Sequence, residues 1–335
     1  WLAIPGREYS IMDCVKINFA LIEEIALKEA VELYATPDIG QILDVYEKHL
    51  RIAVDTLVQG FTFSYENQIN NFPELPLDLM CYGTVEKGLD ASNGGVEKYL
   101  WCIDGAGLAV AADSLAAVEQ RVLDEKRYTY AELMRFLETD WAGPDGEKAR
   151  QFMLGVERYG KGGTRADELA ARLSEMFTET VTSARTPKYG HQPVPGLFSW
   201  ANTLDFGAQV GATPNGRKAK RPISHGANPN PGFRADGAAT AMSQAIASVQ
   251  CGHGNTAPMQ LELEPSISAD EGGIEAVMAL IEDHFAKGGT LINLNVIDAD
   301  TLRKAHENPE LFPELIVRVT GFSAYFKSLS PEFRQ

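Results

Sequence analysis

The chain has 335 residues, 44% hydrophobic and 23% charged, enough for one large domain or two ordinary ones with a substantial buried core. A formal net charge of −16 argues against nucleic acid, whose phosphate backbone needs clustered Lys and Arg. No apolar run reaches the roughly 18 residues that would predict a membrane-spanning helix.

The opening Trp-Leu-Ala-Ile-Pro-Gly-Arg has no basic and apolar leader pattern and no initiator Met, so the sequence reads as a fragment. Apolar residues at helical spacing predict helices over Ile11–Tyr34 and Ile39–Leu57, with Pro37 and Asp38 as the start signal between them. Asn67–Pro76 breaks the pattern, and Gly83–Gly107 reads as Gly-rich irregular chain. Further helices are predicted over Asp113–Val122, Tyr128–Leu137 and Ala166–Thr182. From Tyr189 to Gly237 the chain is dense in Gly, Pro, Asn and Ser, yet its aromatic content argues against disorder. Short strands at Met259–Leu263, Leu291–Val296 and Leu315–Val319 then alternate with helices at Ala238–Val249, Gly273–Ala286 and Ala299–His306. That alternation predicts an α/β fold with a mainly parallel sheet.

Several chemical signatures fail. Gly155-Val-Glu-Arg-Tyr-Gly-Lys161-Gly162 approaches a P-loop but has Gly where the Mg²⁺-binding Ser or Thr belongs. Gly105-Ala-Gly107 lacks the third glycine of a dinucleotide turn, and no clear strand precedes it. Six histidines show no HExxH or HxH spacing, and Gly-x-Ser-x-Gly is absent. The four cysteines (Cys14, Cys81, Cys102, Cys251) are scattered without a CxxC pair. They form neither a zinc site nor a disulfide framework and fit a reducing cytoplasm.

One motif stands out near the end: Ile316-Val-Arg318-Val-Thr-Gly321-Phe322-Ser323-Ala-Tyr325-Phe, followed by Leu329-Ser-Pro-Glu. Taken alone it is a strand ending in a glycine turn. The segment nevertheless resembles the C-terminal radical motif of glycyl radical enzymes, the pyruvate formate-lyase-like family. Matches in the same order extend upstream through Gly288-Gly289-Thr-Leu-Ile-Asn293-Leu-Asn295, Asn255-Thr-Ala-Pro258, Gly211-Ala-Thr213-Pro-Asn-Gly-Arg217 and Ala112-Asp113-Ser-Leu-Ala-Ala117. A backbone radical needs a planar Cα delocalised over both flanking amides, and glycine alone has no Cβ to crowd that geometry.

The resemblance implies a ten-stranded α/β barrel. Residues 1–200 would form its mainly helical part, 201–310 an α/β half-barrel, and 311–335 the radical loop region. It implies Gly321 as the radical store, with Arg318, Phe322, Ser323 and Tyr325 supporting the loop. Thr213, Arg217, Asn293, Asn295, His191 and Trp200 would lie toward the core or substrate. No cofactor is expected to be bound. A separate S-adenosylmethionine-dependent iron-sulfur activating enzyme would install the radical, which then passes to a cysteine thiyl that takes hydrogen from a small-molecule substrate. The resemblance places that cysteine at or before Trp1, and Cys14, the nearest present, falls in a predicted helix. A cytoplasmic homodimer is the expectation for the whole protein. The sequence after Gly321 is more like that of the dehydratases and decarboxylases, which break a C–C or C–O bond. Fumarate-adding hydrocarbon synthases, formate acetyltransferase and a non-catalytic remnant remain open.

Overall fold

A computed structural model describes residues 4–10, 15–187, 191–234, 239–250, 257–269, 271–320 and 322–334. Strand β1 (Glu8–Ser10) pairs in parallel with β3 (Lys98–Leu100). Strands β2 (Val15–Asn18), β4 (Cys102–Ala106) and β5 (Val194–Gly196) form a parallel sheet in the order β2-β4-β5. Farther on, β6 (Pro258–Leu263) and β7 (Leu291–Val296) pair in parallel over six residues, and β8 (Ile316–Val319) and β9 (Phe322–Tyr325) form an antiparallel hairpin. The fold is thus α/β with parallel strand pairs, and helices fill the intervals.

The chain passes from β2 into helix α1 (Phe19–Tyr34) with no intervening loop, because Asn18 ends the strand and caps the helix at once. Its side-chain oxygen accepts from the Leu21 amide, and its Nδ2 donates to the Phe206 carbonyl. Helix α2 (Ile39–Asn71) begins with a capping box in which the Asp38 carboxylate accepts from the Gln41 amide. Two single turns follow, α3 (Leu75–Asp78) and α4 (Thr84–Lys87). Helix α5 (Leu108–Val118) is buried at every position, as expected of a helix apolar on all sides, and runs on into a π-helical turn at Glu119–Asp124. Next in the chain come α6 (Tyr130–Glu138), α7 (Gly143–Leu154) and α8 (Arg165–Ser183), and α1 and α8 pack directly against α5. Helices α9 (Thr203–Ala208), α10 (Ala239–Ser248), α11 (Glu271–Ala286) and α12 (Ala299–Glu307) complete the chain.

Phe19, Leu27, Ile42, Leu43, Ile103 and Phe177 belong to one continuous core. The close approach of α1 to β4 depends on Gly105, where a Cβ would stand 2.1 Å from the Phe19 ring. Among the described residues, two small cores stand apart from the continuous one, the first of Ala20, Ala106, Val110, Val210 and Ile223, the other of Ile297, Ala305, Val317 and Phe326 under the terminal hairpin.

Four sequence expectations change, the first being that α2 runs past Leu57 to Asn71, into the stretch read as a break. Residues 15–18 are a strand rather than the start of a helix, because Val15, Ile17 and Phe19 satisfy a period of two as well as a helical stripe. The stretch expected to be irregular, 83–107, contains β3 and β4. All five residues of β4 are buried, so Cys102-Ile-Asp-Gly-Ala106 shows no polar alternation to announce a strand. A strand therefore does precede Gly105-Ala-Gly107. Gly107 turns the chain directly into α5 with φ 88°, and its amide is taken by the Ser224 carbonyl.

Candidate active site

Ligands of parallel sheets gather at the carboxyl ends of the strands. At the end of β5 the chain continues through Leu197-Phe-Ser-Trp200, and the loop holding Ser224 and His225 is tied to the end of β4 by the Gly107 bond to Ser224. The two loops touch at Gly226, where a Cβ would stand 2.1 Å from the Leu197 carbonyl oxygen. At this junction Ser199 Oγ, Trp200 Nε1, Ser224 Oγ and His225 Nδ1 are all buried with no protein hydrogen-bond partner. Buried polar atoms are nearly always satisfied, so four at one junction mark a surface shaped for a polar ligand. Burial pushes the His225 imidazole below its ordinary range, against a smaller opposing effect of a hydrogen bond to the Trp200 backbone.

Two charged groups flank this junction. Lys16 on β2 pairs in register with Asp104 on β4, and Asp104 with Gly196 on β5, so they share one row across the sheet. Asp104 is fully buried, and the Lys16 ammonium lies 3.8 Å from the centroid of the Trp200 ring. His191 lies nearby in sequence but in a different setting. Its ring stacks on Tyr99 at 5.1 Å and meets Tyr65 and Trp101 edge-on, and burial lowers its pKa.

Thr213 and Arg217 form a tight turn with its own bridge, the Thr213 amide donating to the Arg217 carbonyl. Thr213 is fully buried and its hydroxyl donates to Asn215 Oδ1. The Arg217 guanidinium donates to the carbonyls of Gly211 and Gly207 at 2.7 Å each and to those of Arg221 and Pro222. Burial draws its pKa down to about 10. Arg217 is therefore a clamp that holds its own loop, and the Glu24 carboxylate adds a bond from the Gly211 amide. The turn reaches α5 through the Asn215 amide, which donates to Ser114 Oγ at 3.4 Å. Next to Ser114, the buried Asp113 carboxylate accepts from the Tyr159 amide and from Asn230 Nδ2.

Asn293 and Asn295 lie on one face of β7 opposite Gln260 and Glu262 of β6. The Nδ2 of Asn293 is buried without a partner. Gly289, just before β7, has no room for a side chain, because a Cβ would stand 2.2 Å from His284 Nε2. Beyond β7 comes the hairpin, whose register pairs Val319 with Phe322 and Arg318 with Ser323, leaving residues 320 and 321 as the connection. Thr320 has φ 50°. Arg318, Ser323 and Tyr325 are exposed, and β8 packs against β7. Gly321 itself, the side chain of Phe322, and Cys14 and Cys251 lie outside the described residues.

The residues singled out from sequence thus occupy four neighbourhoods: Trp200 at the orphaned polar junction, His191 among aromatic rings, Thr213 and Arg217 in the clamp, and Asn293 and Asn295 beside the hairpin. Lys16, Asp104, Ser199 and Ser224 were not anticipated. Asp104 carried a signal, as the sole charge in the run from Leu100 to Val110. The near P-loop has its own explanation. Asp167 fills the glycine turn with its own carboxylate, Oδ1 accepting from the Gly160 amide and Oδ2 from the amides of Gly162 and Thr164. Among the described residues, no group of three or more His, Cys, Asp or Glu could hold a metal ion, and no helix is long and apolar enough to cross a membrane.

Comparison with known proteins bears on the family. Residues 1–207 match the family model described as pyruvate formate lyase-like, and residues 223–327 match the one described as glycine radical. The chain is 27% identical over 349 residues to (2S)-3-sulfopropanediol dehydratase of Klebsiella oxytoca, covering 98% of this chain and 42% of that protein. It is 30% identical over 236 residues to isethionate sulfite-lyase of Bilophila wadsworthia, covering 68% and 27%. The B12-independent glycerol dehydratase of Clostridium butyricum, in its glycerol-bound form, superposes with a TM-score of 0.87 at 25% identity, covering 98% of this chain and 43% of that one. The chain spans less than half the length of these relatives. With the radical motif and the β6–β7 pair inside the second matched region and β1 to β5 inside the first, the chain belongs to the pyruvate formate lyase-like glycyl radical enzymes.

Proposed function

We propose that this chain is the radical-storing portion of an anaerobic glycyl radical lyase of the dehydratase type, with Gly321 as the store. The observation that carries this reading is the match of residues 223–327 to the glycine radical family, which contains the whole run from Arg318 to Tyr325. Similarity to dehydratases and sulfite-lyases supports elimination from a small hydroxylated substrate.

In this reading a radical S-adenosylmethionine activating enzyme removes one hydrogen atom from the Gly321 Cα. The radical then draws hydrogen from a cysteine thiol, and the thiyl takes hydrogen from the substrate carbon. Of the cysteines whose surroundings are described, Cys102 is buried within β4, and burial pushes the Cys81 thiol up. The reading keeps the position that the family resemblance implies for the thiyl cysteine, at or before Trp1. Ser199, Ser224, His225 and Trp200 would hydrogen-bond the substrate, and the Lys16–Asp104 row would set the charge beside it.

Electron paramagnetic resonance on the intact protein, activated without oxygen, tests the reading. The expected result is a doublet that vanishes in Gly321→Ala, together with chain cleavage at Gly321 on admission of air. No signal with a demonstrably active activating enzyme would overturn it and leave a non-catalytic remnant.

A further inference from the structure

Away from the strand ends, α1, the end of α6 and the clamp loop enclose a cavity of about 230 Å³. Its apolar walls include Leu27, Met134 and Pro214. Its polar lining is dominated by acid: Glu23, Glu24, Glu138 and Asp140, against one cation, Lys28. Some of that charge is already committed. Glu24 bonds Lys28 through one oxygen and the Gly211 amide through the other, and Asp140 Oδ1 accepts from the Ala219 amide. Glu23 is different. It is fully buried, lines the cavity, and neither of its carboxylate oxygens has a hydrogen-bond partner. The Tyr46 hydroxyl of α2 is likewise buried without a partner.

Leaving a carboxyl and a phenol buried and unbonded is costly, more so for a charged group. The core around α1 is otherwise densely apolar, and a Leu at position 23 would suit it better as packing. Burial holds the Glu23 carboxyl well above the usual range. A cation reaching it would find a group able to become its counter-ion, an acidic surround beyond it, and aliphatic walls for a short carbon chain. A bare metal ion fits poorly, since the described residues offer no cluster of three ligands.

We infer that this cavity is a binding site for a small aliphatic ammonium compound, with Glu23 as the counter-ion and Leu27, Met134 and Pro214 packing against its carbon chain. The site is separate from the polar junction at the ends of β4 and β5, and it does not depend on the radical reading. Glu24 connects it to the clamp loop, because the same side chain that lines the cavity holds the Gly211 amide.

The probe is 1,4-diaminobutane added to the 335-residue chain, followed by thermal unfolding and calorimetric titration. The expected result is a saturable rise in Tm and a measurable Kd, weakened at least tenfold in Glu23→Gln. Glutamine is isosteric with the protonated acid, so this variant keeps the fold. Met134→Trp, which fills the cavity and leaves Glu23 in place, is expected to abolish binding as well. 1,4-Butanediol, of the same length and uncharged, is expected to give no shift. Equal stabilisation by the diol, by sodium chloride at matched ionic strength, or in both variants would overturn the inference, as would the absence of saturable binding.

Discussion

Asp113 illustrates how one side chain ties several segments together. From the centre of α5 its carboxylate holds the Tyr159 amide and the Asn230 amide group, while its neighbour Ser114 receives the Asn215 amide. Burial outweighs these bonds and pushes the carboxyl from 3.8 to about 6. Folding therefore favours the protonated form. The stability it contributes is present below the unfolded value and is lost as pH rises through about 6. Relative to Asp113→Asn, the native chain is expected to lose about 3 kcal/mol between about pH 4 and pH 7, read from urea midpoints at each pH. A constant difference across that range would show that Asp113 titrates alike in both states. The sequence displayed Asp113 within a helical run, but not its partners, which lie 46 and 117 positions away.

Elements were legible where one periodicity dominated. Strands β6, β7 and β8 and helices α6, α8, α11 and α12 could be read because each pairs a clear pattern with a clear boundary, such as the Thr129–Glu132 and Thr164–Asp167 capping boxes. β4 was hidden because burial on both faces removes alternation, and β2 because four residues of strand run straight into a helix. The candidate site was half-legible for a related reason. The radical motif is contiguous in sequence, whereas the polar junction unites residues from β2, β4 and two distant loops. Packing between α1 and β4 gives an element-scale test. Gly105→Ala would drive a methyl into the Phe19 ring, and the strand or the helix must shift. A loss of about 3 kcal/mol is expected in chemical denaturation, with recovery when Phe19→Leu is added. No recovery in the double variant would locate the strain elsewhere.

On the scale of the whole molecule, stability is divided unequally. The large core runs from α1 through α8 to β6, while among the described residues the hairpin's own cluster has four buried members, Ile297, Ala305, Val317 and Phe326, with Leu302, Phe312, Leu315 and Leu329 against them. Regions with few buried contacts open first. Phe326→Ala is expected to raise amide exchange in β8, β9 and α12 while leaving α1 and α5 unchanged. Uniform acceleration across the chain would mean that the hairpin and the main core unfold as one unit. The position of Phe326 has a further consequence. It lies on the C-terminal side of Gly321, as does the whole of β9, so scission at the glycine severs both from β8. If Gly321 stores the radical as proposed, a molecule cut there by oxygen would also lose one wall of its small core, uncovering Val317 and Ile297. Spent copies would thus bear a greasy scar that intact copies lack, a mark by which a cell's proteases and chaperones could sort one from the other.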